Sequence, residues 1–489
     1  MCLPLKRGDK VNGAIIDYLN KQYGYELKAD YYSYIYEWRD WWKGYFKPFH
    51  KYNFNTGKKV LSRDMFTMKM AKKVCEDWAS LLLNEKTSIV VDDPNSNKFL
   101  QGEKETDGVF GENDFWVQAN RLIEKACYSG TGAVVLRLDG IRVSSNDTLI
   151  KTPEAKIKLA YISAENIIPI SWDNDKITEV AFCSEFTKSG KDYIYLEVHR
   201  INESGNYEIT NKYFNANKRG IKEVPLPPNV AEVIQTNSSQ PLFAVFKPNL
   251  VNFIDNNAGF GISVFASAID NLKGVDLAFN NFCNDFKLGG KKVFLNRSLV
   301  ELSEDGREIT PDDVNQQLFT YVGNSEIDGN MFEEHNPDLR VQENTDGIQA
   351  QLDYLSFKVG FGTKHYQFNA GSIVTATQYT GDKQELLQNA TKQYIVVENM
   401  LISLVKAILY VGKEFLGADV NPEAEITVQF DDSIVIDKEA ERARDLQEMR
   451  DGIMQKWEYR MKWYGEDEKT AKAMVAEQSD NSLMGFGDE

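Results

Sequence analysis

Between Thr345 and Gly417 the chain lays down a short amphipathic helix, a polar loop and a much longer amphipathic helix, and this restricts its folds more than any other stretch. Ile348, Leu352, Leu355 and Val359 recur at spacings of four, three and four, which is one face of a helix. The loop GFGTKHYQFNAGSIVTATQYTGD, from Gly360 to Asp382, is rich in glycine and threonine. Beyond it Leu387, Ala390, Tyr394, Val397, Leu401, Leu404, Ile408, Val411 and Phe415 alternate spacings of three and four. A helix from Asp382 to Phe415 is roughly 50 Å long at about 1.5 Å per residue. Such a rod, joined through a polar elbow to a second helix, suits a channel-building subunit better than a catalytic domain.

The rest of the chain reads as mixed helix and strand, an α+β fold. Tyr31 to Phe54 is crowded with rings: 12 of its 24 residues are aromatic, interleaved with Arg39, Lys43, Lys47 and Lys51. That pattern fits a stacking platform for single-stranded nucleic acid. A packing surface against the same chain or a neighbouring subunit fits better, and so many Trp and Tyr on a few turns favour a subunit interface. Ser62 is an expected N-cap for a helix Arg63–Glu85 with Phe66, Met70, Val74, Trp78 and Leu81 on its apolar face. A second helix, Asn113–Ser129, turns at Gly130 and Gly132 into a strand, Ala133–Leu138. Residues 133–250 alternate β-like runs with turns, as in a mixed antiparallel domain. A helix Ile262–Leu288 follows, then the strand KKVFLN. After the long helix come a strand, Glu425–Phe430, a charged helix, Lys438–Trp463, and a tail expected to be disordered from Ser479.

Charge is unevenly spread within a net −17. Residues 1–75 hold 15 Lys/Arg against 7 Asp/Glu, whereas residues 301–345 hold 12 Asp/Glu against 2 Arg. So acidic a chain is not an obvious duplex binder, because tight binding requires many cations at phosphates. It can still be a conduit, in which adhesion is undesirable. No run of about 18 apolar residues occurs, so no membrane-spanning helix is expected. The N-terminus lacks the apolar core of a secretory signal. Cys2, Cys75, Cys127, Cys183 and Cys283 are far apart and odd in number, which fits reduced thiols in a cytosolic setting.

Positive signs of catalysis are missing. The sequence contains no GxxxxGK[ST], HExxH, GxSxG or CxxC. His50, His199, His335 and His365 are isolated from one another. Asp312–Asp313, Glu333–Glu334 and Asp431–Asp432 carry the charge to hold Mg²⁺ but read more simply as solvated surface. No enzyme activity, cofactor or metal is expected.

Four stretches taken in order carry a resemblance: EWRDWWKGY (Glu37–Tyr45), MAKKVCEDWASLLLNEK (Met70–Lys86), YISAENIIPISWDNDKITEVAF (Tyr161–Phe182) and TATQ (Thr375–Gln378). Over roughly residues 30–460 the chain resembles the portal proteins of tailed double-stranded DNA bacteriophages, as found in phages and prophages of Gram-positive bacteria. The family commonly has TATE where this chain has Gln378, so a role for that carboxylate does not carry over.

The resemblance implies a homo-oligomeric ring, a dodecamer, at one capsid vertex of the virion, assembled in the host cytoplasm. Residues 1–258 would form the wing, 259–288 and 345–361 the paired stem helices, and 289–344 the clip. Residues 362–381 would form the tunnel loop, 382–432 the long helix and a return strand to the wing, and 433–489 the crown and acidic tail. Double-stranded DNA would pass through during packaging, retention and ejection. Terminase, then a head–tail adaptor, would dock at the clip, and major capsid and scaffold proteins would surround the ring. Lys364, Gln367, Asn369 and Thr375 are the expected DNA-facing loop residues, with Gly362, Gly371 and Gly381 as hinges and Asp312, Asp313, Glu333 and Glu334 as an acidic clip surface. Twelve such clips would carry about −120 formal charges around one opening, repelling phosphates so that DNA slides without adhering. Two other readings differ in class: a monomeric nucleic-acid-modifying enzyme holding Mg²⁺, and a minor capsid or scaffold-type interaction protein.

Overall fold

In the computed structural model the described residues are 7–483, apart from 56–59, 104–105, 144–148, 218–219, 228–229, 256, 258, 291, 297–317, 322–331, 368–375 and 431–437. The helices are α1 (Arg7–Tyr23), α2 (Tyr32–Trp42), α3 (Lys47–His50), α4 (Met70–Leu82), α5 (Pro94–Gln101), α6 (Val109–Glu112), α7 (Phe115–Ser129), α8 (Ile269–Leu288), α9 (Val341–Lys358), α10 (Ala376–Glu414), α11 (Lys438–Arg450), α12 (Lys456–Tyr464) and α13 (Glu468–Leu483). With 46% helix and 25% strand the fold is mixed, as α+β implies.

Residues 132–246 form the expected antiparallel body. A three-stranded sheet runs in the order Phe243–Phe246, Gly132–Val143, Leu149–Ser163. A larger sheet pairs Ile167–Asp173, Lys176–Lys188, Lys191–Ile201 and Tyr207–Asn217 in sequence, with Gly220–Val224 and Val233–Gln235 on its last long strand. Sequential antiparallel pairing is what short turn-bounded β runs permit. Between α8 and α9, strand Lys292–Asn296 pairs parallel with Leu318–Tyr321 and antiparallel with Phe332–His335.

The core is threaded by α10. Val397, Leu401, Leu404, Val405 and Ile408 are fully buried, so the stripe in the sequence is the side that faces the protein. Contrary to expectation, this helix is long and apolar enough by length and composition to cross a bilayer, yet 56% of its most apolar window is buried inside the protein. The aromatic α2 is likewise core. Tyr32, Ile35, Tyr36, Trp38 and Trp41 are buried within the chain, so these rings are neither a nucleic-acid platform nor free for a subunit interface. Tyr31 stacks on Phe260 at 5.1 Å and its hydroxyl donates to Gly261 O at 2.9 Å.

Several boundaries differ from the sequence reading. Ser62 caps no helix; it lies in the strand Val60–Asp64, which forms a hairpin with Lys51–Asn55, and α4 starts only at Met70. The cause is tertiary: the amides of Phe66 and Met68 are captured by Asn280 and Asp276 of α8, at 3.1 and 2.8 Å. Helix α8 begins at Ile269 rather than Ile262, because Ser263 and Val264 donate to Cys127 O at the end of α7. Gly130 (φ +79°) lets that segment come close, since a Cβ there would lie 2.4 Å from Gly261 O. The charged C-terminal helix is broken into α11 and α12 at Gly452 (φ +76°). Ser479 lies inside α13 rather than in a disordered tail, and Asp467 starts that helix by accepting from Thr470 N at 3.3 Å. Cys75, Cys127 and Cys183 are buried free thiols, and Cys283 is half-buried and free.

Candidate functional site

Helices α8 and α9 lie antiparallel. Gly274 sits so close to Gln351 that a Cβ would fall 2.4 Å from its Oε1, while Asp285 near the end of α8 meets Arg340 and Asn344 at the start of α9. Leu272 and Val275 on α8 and Ile348, Leu352 and Leu355 on α9 belong to the same buried cluster. At the far end the Arg340 guanidinium, 2.9 Å from Asp285, holds that carboxyl below its ordinary range.

One side of α8 carries a buried polar cluster absent from the sequence reading. Asp276 accepts from His50 Nε2 (3.0 Å), Thr67 Oγ1 (3.1 Å) and Met68 N (2.8 Å), and His50 is fully buried. On its other edge His50 Nδ1 lies 2.8 Å from the Phe46 amide and 3.1 Å from Phe46 O, so both ring nitrogens have partners. A signal was available: Asp276 follows Val275 and stands four residues after Leu272, beside the apolar stripe, where an ionisable group needs buried partners.

The loop after α9 begins with a clamp. Gly360 (φ +89°) and Gly362 (φ +81°) turn the chain back with left-handed backbone. Between them Phe361 is buried, stacked on Trp78 of α4 (4.8 Å) and on His365 (4.5 Å). Trp78 Nε1 donates to Val359 O at 3.2 Å, Asn389 Nδ2 of α10 to Gly360 O at 3.0 Å, and Gln349 Nε2 to Tyr366 O at 2.9 Å. His365 Nε2 lies 3.7 Å from Asp77 Oδ2. Burial works against the charge on Asp77, but His365 and Lys73 outweigh it and keep its carboxyl below the ordinary 3.8. The first residues of the loop are therefore fixed to α4 and α10, an arrangement that the isolated position of His365 in the sequence concealed.

Lys364, between the clamp residues Phe361 and His365, is exposed, as is Gln367 just after Tyr366. Asn369, Gly371 and Thr375 lie outside the described residues. Gly381 does not hinge a loop. It lies within α10, which starts at Ala376 and thus includes most of TATQ in its first turn. Glu333 and Glu334 occupy register positions opposite Phe294 and Val293, while Asp312 and Asp313 lie outside the described residues. Among the described residues no group of three His, Cys, Asp or Glu is placed to hold a metal ion.

A family model described as "Phage portal protein, SPP1 Gp6-like" matches residues 25–482. A search of the curated proteins finds no match. Among solved structures, a chain of the "Neck of native GTA particle computed with C12 symmetry" aligns at 9% identity over 80% of this chain and 88% of that one. Its TM-score is 0.33, a likeness too low to bear on function.

Proposed function

The chain belongs to the SPP1 Gp6-like family of phage portal proteins, and on that premise we propose how its geometry serves a DNA channel. The family is structural, not enzymatic, and implies a ring oligomer within a phage particle. We assign α8 and α9 to the stem, residues 289–340 to the clip, and the segment after Gly362 to the tunnel loop, shortened at its far end because Ala376 already begins α10.

The observation that carries this reading is the clamp. Phe361 and His365, packed on Trp78 and Asp77, give the loop a fixed root, and Gly360 turns it away from the stem. A loop rooted this way is tied to the core through its first residues. Lys364, exposed next to the root, supplies one cation per subunit in an acidic tube, a sparse girdle that touches phosphates weakly. Terminase and then tail adaptor proteins dock at the acidic clip, and capsid and scaffold proteins surround the ring.

Native mass spectrometry and negative-stain microscopy of the purified chain test the ring; a monomer at all concentrations would sink it. Packaging with Lys364→Glu tests the girdle. Translocation or DNA retention should fall, and unchanged packaging and retention in assembled particles would remove Lys364 from that role.

A further inference from the structure

The hairpin formed by β1 (Lys51–Asn55) and β2 (Val60–Asp64) lies on the surface. Each described side chain of its two strands is exposed, with Val60 at 67%, Leu61 at 41% and Tyr52 at 37%. The register puts positions 52, 54, 61 and 63, with Tyr52 and Leu61 among them, on one face, and Lys51–Asp64, Asn53–Ser62 and Asn55–Val60 on the other. An isolated two-stranded hairpin with an uncovered apolar face is marginal in water, and such a face marks a contact.

Its base, by contrast, is fixed. Met65 N donates to His50 O at 2.8 Å, Tyr45 Oη to Asp64 Oδ1 at 2.5 Å, and the next residues are held by Asn280 and Asp276. A rigid root and a bare blade describe an arm.

We propose that this hairpin packs its Tyr52–Leu61 face on a neighbouring copy of the chain in the ring, a step that rests on the portal reading above. Charge names the partner. The hairpin Lys51–Asp64 carries four Lys/Arg against one Asp in a chain of net −17, so a second copy is an acidic surface for a basic arm. Closing a ring brings together subunits that repel, and an arm of opposite sign on each offsets part of that repulsion. A head-to-tail ring contact joins two different surfaces of the subunit, so an arm on one side needs no matching arm on the other.

Full-length wild type, Leu61→Asp and Tyr52→Asp are compared at equal concentration by native mass spectrometry. Both variants should lose most of the ring population to monomer, about tenfold or more, while circular dichroism and the unfolding midpoint of the monomer stay unchanged. Replacing Leu61 by the photoreactive p-benzoylphenylalanine should yield covalent dimers when assembled rings are irradiated. Variant rings as abundant as wild type, or cross-links confined to one chain, to capsid protein or to DNA, would overturn the arm. If wild type itself forms no ring, it is the portal reading that fails.

Discussion

His50 Nε2 lies 3.0 Å from Asp276 Oδ2, and both groups are buried, so a histidine at the foot of the hairpin is tied to α8. The same carboxylate holds Thr67 and Met68, which makes it the joint between the segment before α4 and α8.

Asp276→Ala should therefore be among the more damaging substitutions in the chain. It leaves His50 Nε2 and the Met68 amide without partners in a buried setting, at a cost of about 3–5 kcal/mol. Thr67→Ala removes one hydroxyl contact and should cost about 1 kcal/mol. Urea unfolding measures both, and equal effects would show that Asp276 is not the joint.

Two glycines should respond to alanine with opposite signs. Gly360 has φ +89°, and a Cβ there would lie 3.1 Å from Asn389 Nδ2, so Gly360→Ala should cost about 1–2 kcal/mol. Gly13 lies within α1 with nothing within 4 Å of its Cβ position, so Gly13→Ala should stabilise by about 0.5–1 kcal/mol. Thermal melts of the two variants settle the ordering.

Acid should act through Glu197. Its buried carboxylate accepts from Arg137 Nε at 2.8 Å and His199 Nε2 at 2.9 Å. Burial opposes ionisation, but these partners outweigh it and hold the carboxyl below the ordinary 4.5. A depressed folded-state pKa contributes stability that is fully present above 4.5 and is lost as pH falls through the folded value. Glu197→Gln should be less stable than wild type near neutrality, and the gap should narrow below 4.5. Urea midpoints measured at several pH values check this, and a gap independent of pH would contradict it.

Gln378 stands in the first turn of α10, where a negative side chain interacts well with the helix N-terminus. Gln378→Glu should raise stability by about 0.3–1 kcal/mol. A fall in the melting temperature would show that the local field around this turn is already negative.

What the sequence determined alone is what local periodicity encodes. The stripe read from Asp382 to Phe415 lies within α10, apart from its last residue, and the one from Thr345 to Val359 overlaps nearly all of α9, because a 3.6-residue repeat is written in neighbouring positions. The antiparallel body was visible for the same reason, in short β runs joined by turns. The order of four weak motifs carried the family. Tertiary structure decided the rest. Residues 63–69 read as helix, yet they form none, because Asn280 and Asp276, more than 200 positions away, satisfy the amides of Phe66 and Met68. The root of the loop was equally hidden, since Phe361 and His365 acquire a role only when Trp78 and Asp77 are folded against them. Contacts between distant residues leave no period in the chain, so packing alone could reveal them.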